Sequence, residues 1–231
     1  FRSVRLFRQR DPKHWNPTFQ NLYKALEEKF NLQHIDLPSC DKEPKRLNLG
    51  SGTLRLENFV NVDNNPLMKA DENVDLNVFP WPWQDNTYSH IIAKDILEYL
   101  GDKPSDIINV IKEMYRVSEN GAIWEIQVAN HNSEKSNNPE HKRKIYPDMF
   151  NMFNKKTIFE RIEKDDCTSA LAYEHDIDIE ICDVKYDFSK AVEDRLKNNN
   201  MTQEELNYAI NHLSNAATAT KILIQVHKPG R

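Results

Sequence analysis

Two short runs constrain this chain more than anything else in it: Leu47-Asn48-Leu49-Gly50-Ser51-Gly52 and, close behind, Val60-Asn61-Val62-Asp63. The first reads as a buried strand entering a glycine turn, because Gly50 and Gly52 can take positive φ and put no Cβ between backbone and ligand. The second reads as a neighbouring strand ending in a carboxylate, which can accept from both hydroxyls of a ribose. Together they make a nucleoside pocket. A dinucleotide site would instead have a third glycine opening a helix and an acid about 20 residues on, so that the helix N-terminus faces a pyrophosphate. Here Thr53-Leu54-Arg55 follows Gly52, and the stretch to Phe59 is too short for a crossover helix. The pocket is therefore read as built for a nucleoside without phosphates, and S-adenosylmethionine is the common cofactor of that description.

At 231 residues the chain has room for one domain with a full core and an appendage, and two large domains would not fit. A net charge of -5 offers no general attraction to nucleic acid or to an anionic membrane. No apolar run reaches the ~20 residues needed to span a bilayer, and the start of the sequence as given has no signal-peptide pattern. The cysteines Cys40, Cys167 and Cys182 are odd in number and lack C-x-x-C spacing, so neither a disulfide framework nor a metal site is expected. The default compartment is the cytoplasm.

Residues 1–42 read as an N-terminal arm and amphipathic helix, and 43–231 as the main domain. Asn16-Pro17 opens the helix, with Phe19, Leu22, Tyr23, Leu26 and Phe30 along one face. Beyond the second strand the pattern alternates as a doubly wound α/β fold requires. Strands are expected over 89–93, 121–128, 178–188 and 220–226, and a helix over 104–117 with Ile107, Ile108, Val110, Ile111 and Met114 on its core face. Thr202-Gln203-Glu204-Glu205 has capping-box spacing and predicts a helix with Leu206, Ile210 and Leu213 inward.

Four blocks, in order, resemble the class I S-adenosylmethionine-dependent methyltransferases, particularly a small bacterial and viral branch associated with sugar and cell-surface biosynthesis. They are Leu47 to Gly52; Asn61 to Pro66; Asp75-Leu76 leading to Pro80-Trp81-Pro82-Trp83-Gln84-Asp85-Asn86-Thr87-Tyr88; and Glu113 to Gly121. The resemblance runs from about Arg46 to Phe153. It implies a Rossmann-like, mostly parallel seven-stranded sheet whose last strand is antiparallel. It also implies a cofactor site drawn from Asn48, Gly50, Ser51, Gly52, Asp63, Asn64, Asp75, Leu76 and Lys94. In that family the glycine loop holds the methionine part, the acid at Asp63 the ribose, and Asp75 with Leu76 the adenine. Read physically, Asp75 either accepts from an adenine amino group or caps its own turn. Trp81-Pro82-Trp83 either walls the cofactor or buries apolar bulk beneath the sheet.

The loop after Ala93 falls where a ligand sits in such folds, outside the carboxyl ends of the strands. Lys94-Asp95-Ile96-Leu97-Glu98-Tyr99 stands where relatives carry Ser-His-x-Leu-Glu-His, so Asp95 and Tyr99 replace both histidines. Asp95 is read as a base, an acceptor ligand or a helix N-cap. Glu98 is read as structural or cofactor-adjacent. His131 and His141, the latter within Asn138-Pro139-Glu140-His141-Lys142-Arg143, are candidate general bases, since an imidazole titrates near pH 6.5. The resemblance implies methyl transfer to a small-molecule or sugar acceptor at oxygen, not to nucleic acid. Phe1 to Arg10 with Trp15 resembles the closing segment of some tetratricopeptide-type glycosyltransferases, which implies fusion to or association with one. The absence of an initiator Met at Phe1 accords with a piece of a longer polypeptide. Two other classes stay open: a non-catalytic accessory nucleoside-binding domain, and an NAD-linked sugar enzyme, which the missing third glycine and Tyr-x-x-x-Lys pair oppose.

Overall fold

The computed structural model describes residues 45–166 and 169–229. The chain divides into two compact units, Phe1–Glu43 and Pro44–Arg231. The expected N-terminal arm and helix, Cys40 and Cys167 lie outside the described residues.

Six strands form one sheet in the order β2-β1-β3-β4-β6-β5: β1 (Lys45–Leu49), β2 (Val60–Val62), β3 (Tyr88–Lys94), β4 (Ser118–Ala129), β5 (Ile179–Phe188) and β6 (Ala217–Val226). β1 pairs in parallel with β2 and with β3, and β3 in parallel with β4. Only β6 runs antiparallel, to both β4 and β5. This is the α/β, mostly parallel Rossmann-like architecture with an antiparallel last strand. Leu47, Leu49, Val62, Ile91, Ala93, Trp124, Ile126, Val128, Ile222 and Ile224 line its core, each almost wholly buried.

The sheet has six strands among the described residues where seven were expected, and beyond β2 stands a single parallel bridge, Val62 to Glu72. Polar side chains hold this edge. Asp71 accepts from the Asn61 backbone N–H at 2.9 Å and from Asn61 Nδ2 at 2.8 Å. Buried Asn61 in turn accepts from Asn48 Nδ2 at 3.0 Å and from the Leu56 N–H at 2.9 Å. A loop of this length between β1 and β2 cannot form a packed helix, so its backbone groups are satisfied by asparagine and aspartate side chains instead.

Helix α1 (Pro104–Val117) packs Ile107, Val110, Ile111, Met114 and Val117 into the core. Asp106 accepts from the Lys103 N–H at 2.8 Å and closes its first turn. After β4 come three short helices, α2 (Pro147–Asn151), α3 (Lys155–Glu163) and α4 (Leu171–Glu174). Between β5 and β6 stands a helical pair, α5 (Lys190–Lys197) and α6 (Gln203–His212). Thr202 caps α6 through the expected capping box, with its Oγ1 accepting from the Glu205 N–H at 3.2 Å. Ile210 is buried as expected, but Leu213 is 47% exposed. It is the C-cap of α6, with extended backbone at φ -104, and has turned off the helical face that would have carried it inward. No helix among the described residues is long and apolar enough to cross a membrane.

Candidate functional site

The strand order reverses at β1, whose neighbours β2 and β3 depart in opposite directions, and the carboxyl ends of these strands frame a crevice. At the first end, Gly50 and Gly52 take φ of +58 and +51. The Ser51 N–H donates to the Val62 carbonyl at 2.8 Å, and the Leu54 N–H to the Ser51 carbonyl at 2.8 Å, which folds the turn back over the sheet. A Cβ on Gly50 would lie 2.4 Å from Cγ1 of Ile96, so a glycine there lets the β3 loop close on the β1 turn. A Cβ on Gly52 would meet nothing within 4 Å, so the space above that backbone is open.

Asp63 closes β2. Its Oδ2 accepts from the Gly52 N–H at 2.8 Å and its Oδ1 from the Asn65 N–H at 2.9 Å. Two backbone donors thus fix the carboxylate at the mouth of the glycine turn, and each oxygen keeps a lone pair for a ligand. Across the crevice Asp75 Oδ1 accepts from the backbone N–H and side chain of Asn77, at 2.9 and 3.2 Å, while its other oxygen has no partner among the described residues. The tight turn is held from below by Trp81, whose Nε1 donates to the Leu76 carbonyl at 3.2 Å, and from the side by the Gly101 N–H, which donates to Asn77 Oδ1 at 2.8 Å.

Trp81 is held in turn by Glu113, which accepts from its N–H at 2.6 Å, and by Arg116, which donates to the carbonyls of Trp81 and Trp83 and pairs with Glu113 and Asp85. Both tryptophans are buried and neither lines the crevice, so of the two readings of Trp81-Pro82-Trp83 burial is the one realised. The Trp-Pro-Trp block and the Glu113-Met114-Tyr115-Arg116 block act as one clamp under the Asp75 turn.

The crevice encloses about 280 Å³ and is lined by Gly50, Asp63, Asn64, Val74, Asp75, Leu76, Asn77, Ile96, Tyr99 and Leu100. That is close to the lower end of ligand pockets, which start at roughly 300 Å³, and suits one nucleoside-sized group. Among the described residues its lining carries two carboxylates and no Lys, Arg or His.

The far wall is Tyr99, which ends a single 3-10 turn, Leu97–Tyr99. Its hydroxyl accepts from Asn138 Nδ2 at 3.0 Å, and its ring meets the His141 ring edge to face with centroids 4.7 Å apart. The same loop is stapled twice more: the Lys142 N–H donates to the Glu98 carbonyl at 2.7 Å, and Arg143 donates to the carbonyls of Gly101 and Lys103. Glu98 is buried; its Oε1 accepts from the Ala129 N–H at 2.7 Å and its Oε2 has no partner among the described residues. Burial pushes its carboxyl above the ordinary range.

Of the residues expected to form the site, Gly50, Asp63, Asn64, Asp75 and Leu76 come together around this crevice. Asn48 is committed beneath it, with Nδ2 donating to the Leu54 carbonyl and to Asn61. Ser51 is buried with an unpartnered Oγ. Lys94 lies on a separate cleft of the sheet face with Glu125, Gln127 and Lys221. Asp95 takes φ +52 and accepts from Gln127 Nε2 at 3.1 Å; the 3-10 turn beyond it begins from Ile96, so Asp95 is not its N-cap. His141 stands one ring away from the crevice, against Tyr99. His131 is farther along the loop, its ring against Tyr146, and burial followed by the charge of Lys144 lowers its pKa. The lining residues left out of the expected site are Val74, Asn77, Ile96, Tyr99 and Leu100, with Asn138 behind Tyr99; Tyr99 carried a signal as the substitute for a histidine, and Asn138 stood in the run around His141. Among the described residues no group of His, Cys, Asp and Glu could hold a metal ion.

No protein-family model matches the chain, and no curated protein matches it in sequence. Solved structures resemble it distantly. A methyltransferase dependent on S-adenosylmethionine from Archaeoglobus fulgidus is 16% identical, with a TM-score of 0.47 over 89% of this chain and 94% of that one. The cyclase SpnF is 12% identical, with a TM-score of 0.44 over 96% of this chain and 86% of that one. Phosphoethanolamine N-methyltransferase 2 of Haemonchus contortus, solved with S-adenosyl-L-methionine, is 12% identical, with a TM-score of 0.40 over 90% of this chain and 53% of that one.

Proposed function

We propose that the chain is an S-adenosylmethionine-dependent methyltransferase acting at an oxygen of a small acceptor, a sugar or similar polyol. The observation that carries this reading is the charge of the crevice, lined by Asp63 and Asp75 with no cation among the described residues. A dinucleotide would bring its own phosphate charges against these carboxylates, whereas a nucleoside with a cationic arm complements them.

In this reading Asp63, held by two backbone N–H groups, takes the ribose hydroxyls. The free oxygen of Asp75 accepts from the adenine amino group, and the Leu76 N–H, which has no acceptor among the described residues, donates to a ring nitrogen. The open backbone at Gly52 faces the amino-acid arm. When bound, the cofactor would supply an electrophilic methyl carbon with a neutral thioether as its leaving group. The protein's task is alignment of acceptor, carbon and sulfur, with removal of one proton from the acceptor hydroxyl. In this reading His141, packed against Tyr99 one ring from the crevice, takes that proton. Asp95, held by Gln127, binds the acceptor in the same reading.

The test is calorimetric titration with S-adenosylhomocysteine, with NAD in parallel. Micromolar binding of the first alone is expected; failure to bind in protein shown to be folded refutes the reading.

A further inference from the structure

Tyr99 was not among the residues expected to bind the cofactor, yet three facts about it converge. It lines the crevice together with Gly50, Asp63, Asp75 and Ile96. Its hydroxyl and its ring are both held from a distant loop, by Asn138 at 3.0 Å and by a T-shaped contact with His141 at 4.7 Å between centroids. That loop is itself stapled to the neighbouring backbone through Lys142 and Arg143, so the ring cannot swing away without breaking several contacts.

Carboxylates surround it as well. Burial, followed by the negative charges of Glu98, Glu140 and Asp95, pushes the Tyr99 phenol above its ordinary value, so it stays neutral with its ring in a negative field. The crevice lining contributes Asp63 and Asp75. A fixed aromatic face in a negative field attracts a cation and does little for an isosteric neutral group. Gly50 follows the end of β1, Tyr99 lies in the turn after β3, and both line the crevice; in the methyltransferase reading the group joining the nucleoside to its amino-acid arm lies between these strand ends.

We propose that Tyr99 is a cofactor-binding residue that distinguishes a charged sulfonium from a neutral thioether, and so the methyl-bearing cofactor from its spent product. The inference rests on the methyltransferase reading above. Its consequence is that transfer of the methyl group removes the very charge that holds the ligand against Tyr99, which favours release of product.

The experiment is calorimetric titration of the full chain, wild type and variants, with S-adenosylmethionine and with S-adenosylhomocysteine. The quantity read is the ratio of the two Kd values. Tyr99→Leu keeps an apolar wall and removes the ring; it is expected to shift the ratio against S-adenosylmethionine by about five-fold. Tyr99→Phe keeps the ring and is expected to hold the ratio within about two-fold. Asn138→Ala frees the hydroxyl and, by loosening the ring, is expected to shift the ratio in the same direction as Tyr99→Leu but less. It also serves as the test if Tyr99→Leu does not fold. An unchanged ratio in folded Tyr99→Leu, or in Asn138→Ala in its stead, overturns the inference. Wild-type protein that binds neither ligand overturns the cofactor reading itself, a different and separately visible failure.

Discussion

Gly50→Ala is the substitution whose effect can be worked most directly from the geometry. Two terms add. The backbone φ of +58 is left-handed, and an L-residue held there loses about 1 to 2 kcal/mol relative to glycine. The new Cβ would also lie 2.4, 2.6 and 2.8 Å from Cγ1, Cδ1 and Cβ of Ile96. A rotamer change can move the first two atoms but not the third, so the chain itself must shift, and such overpacking adds about 1 to 3 kcal/mol. The expected loss is about 2 to 5 kcal/mol. Gly52→Ala is the internal control: its φ of +51 carries the same backbone term, but its Cβ meets nothing. At about 2 to 4 °C per kcal/mol for a chain of this size, Gly50→Ala lowers Tm by roughly 10 °C and Gly52→Ala by roughly 4 °C. Thermal and urea unfolding of both variants measure this. Adding Ile96→Ala to Gly50→Ala supplies the second check: it removes Cγ1 and Cδ1 but keeps the Cβ at 2.8 Å, so the double variant should recover part of the overpacking term and show a coupling of about 0.5 to 2 kcal/mol. Equal losses for the two glycine variants, or no coupling to Ile96, would refute the account of how the β1 turn and the β3 loop close.

Three further outcomes are expected. Asp63→Ala weakens S-adenosylhomocysteine binding by about 1 to 3 kcal/mol in calorimetry, because two ribose hydroxyls lose a charged acceptor. Arg116→Met leaves the Glu113 carboxylate buried with the Trp81 N–H as its remaining donor and destabilises the fold by about 3 kcal/mol in urea, while also loosening the Asp75 turn. Glu98 has its carboxyl pushed up from an ordinary 4.5 by burial, so the folded state holds a proton that the unfolded state gives up first. The stability tied to that proton is full below 4.5 and is lost as pH rises through the folded pKa; Glu98→Gln, which keeps an acceptor for the Ala129 N–H, should flatten the fall measured by urea unfolding between pH 4 and 8.

What was legible in the sequence was mostly local. Helix α1 spans Pro104–Val117 as read, because its opening proline and apolar periodicity are signals confined to its own residues. The glycine turn, Asp63 and the capping box at Thr202 are equally local. β4 begins at Ser118, ahead of the expected Gly121, since Ser118 pairs with Tyr88 across the sheet and accepts from Trp124 Nε1 at 2.8 Å. The clamp under Asp75 joins residues more than 30 positions apart, Trp81 with Glu113 and Arg116, and the Tyr99 latch joins residues 39 apart. No periodicity records such pairings; they become visible only when the sheet brings the segments together. Lys94 illustrates the converse, a residue at the right position in the chain whose side chain lies on another cleft.

The single bridge at Glu72 beyond β2 also determines what that edge offers to another strand. A long bare edge invites a foreign strand to add to it. Here β2 offers three residues, and the chain's own Asp71, Glu72 and Asp63 backbone groups already occupy that side through bonds of Asp71 and Glu72 to Asn61 and of Asp63 to Glu72. The opposite edge, β5, is ten residues long and is guarded by its side chains instead, with Glu180, Asp183, Lys185 and Asp187 along it. Lengthening β2 by replacing Asp71 and Glu72 with β-branched apolar residues would turn the first of these blunted edges into a template for aggregation.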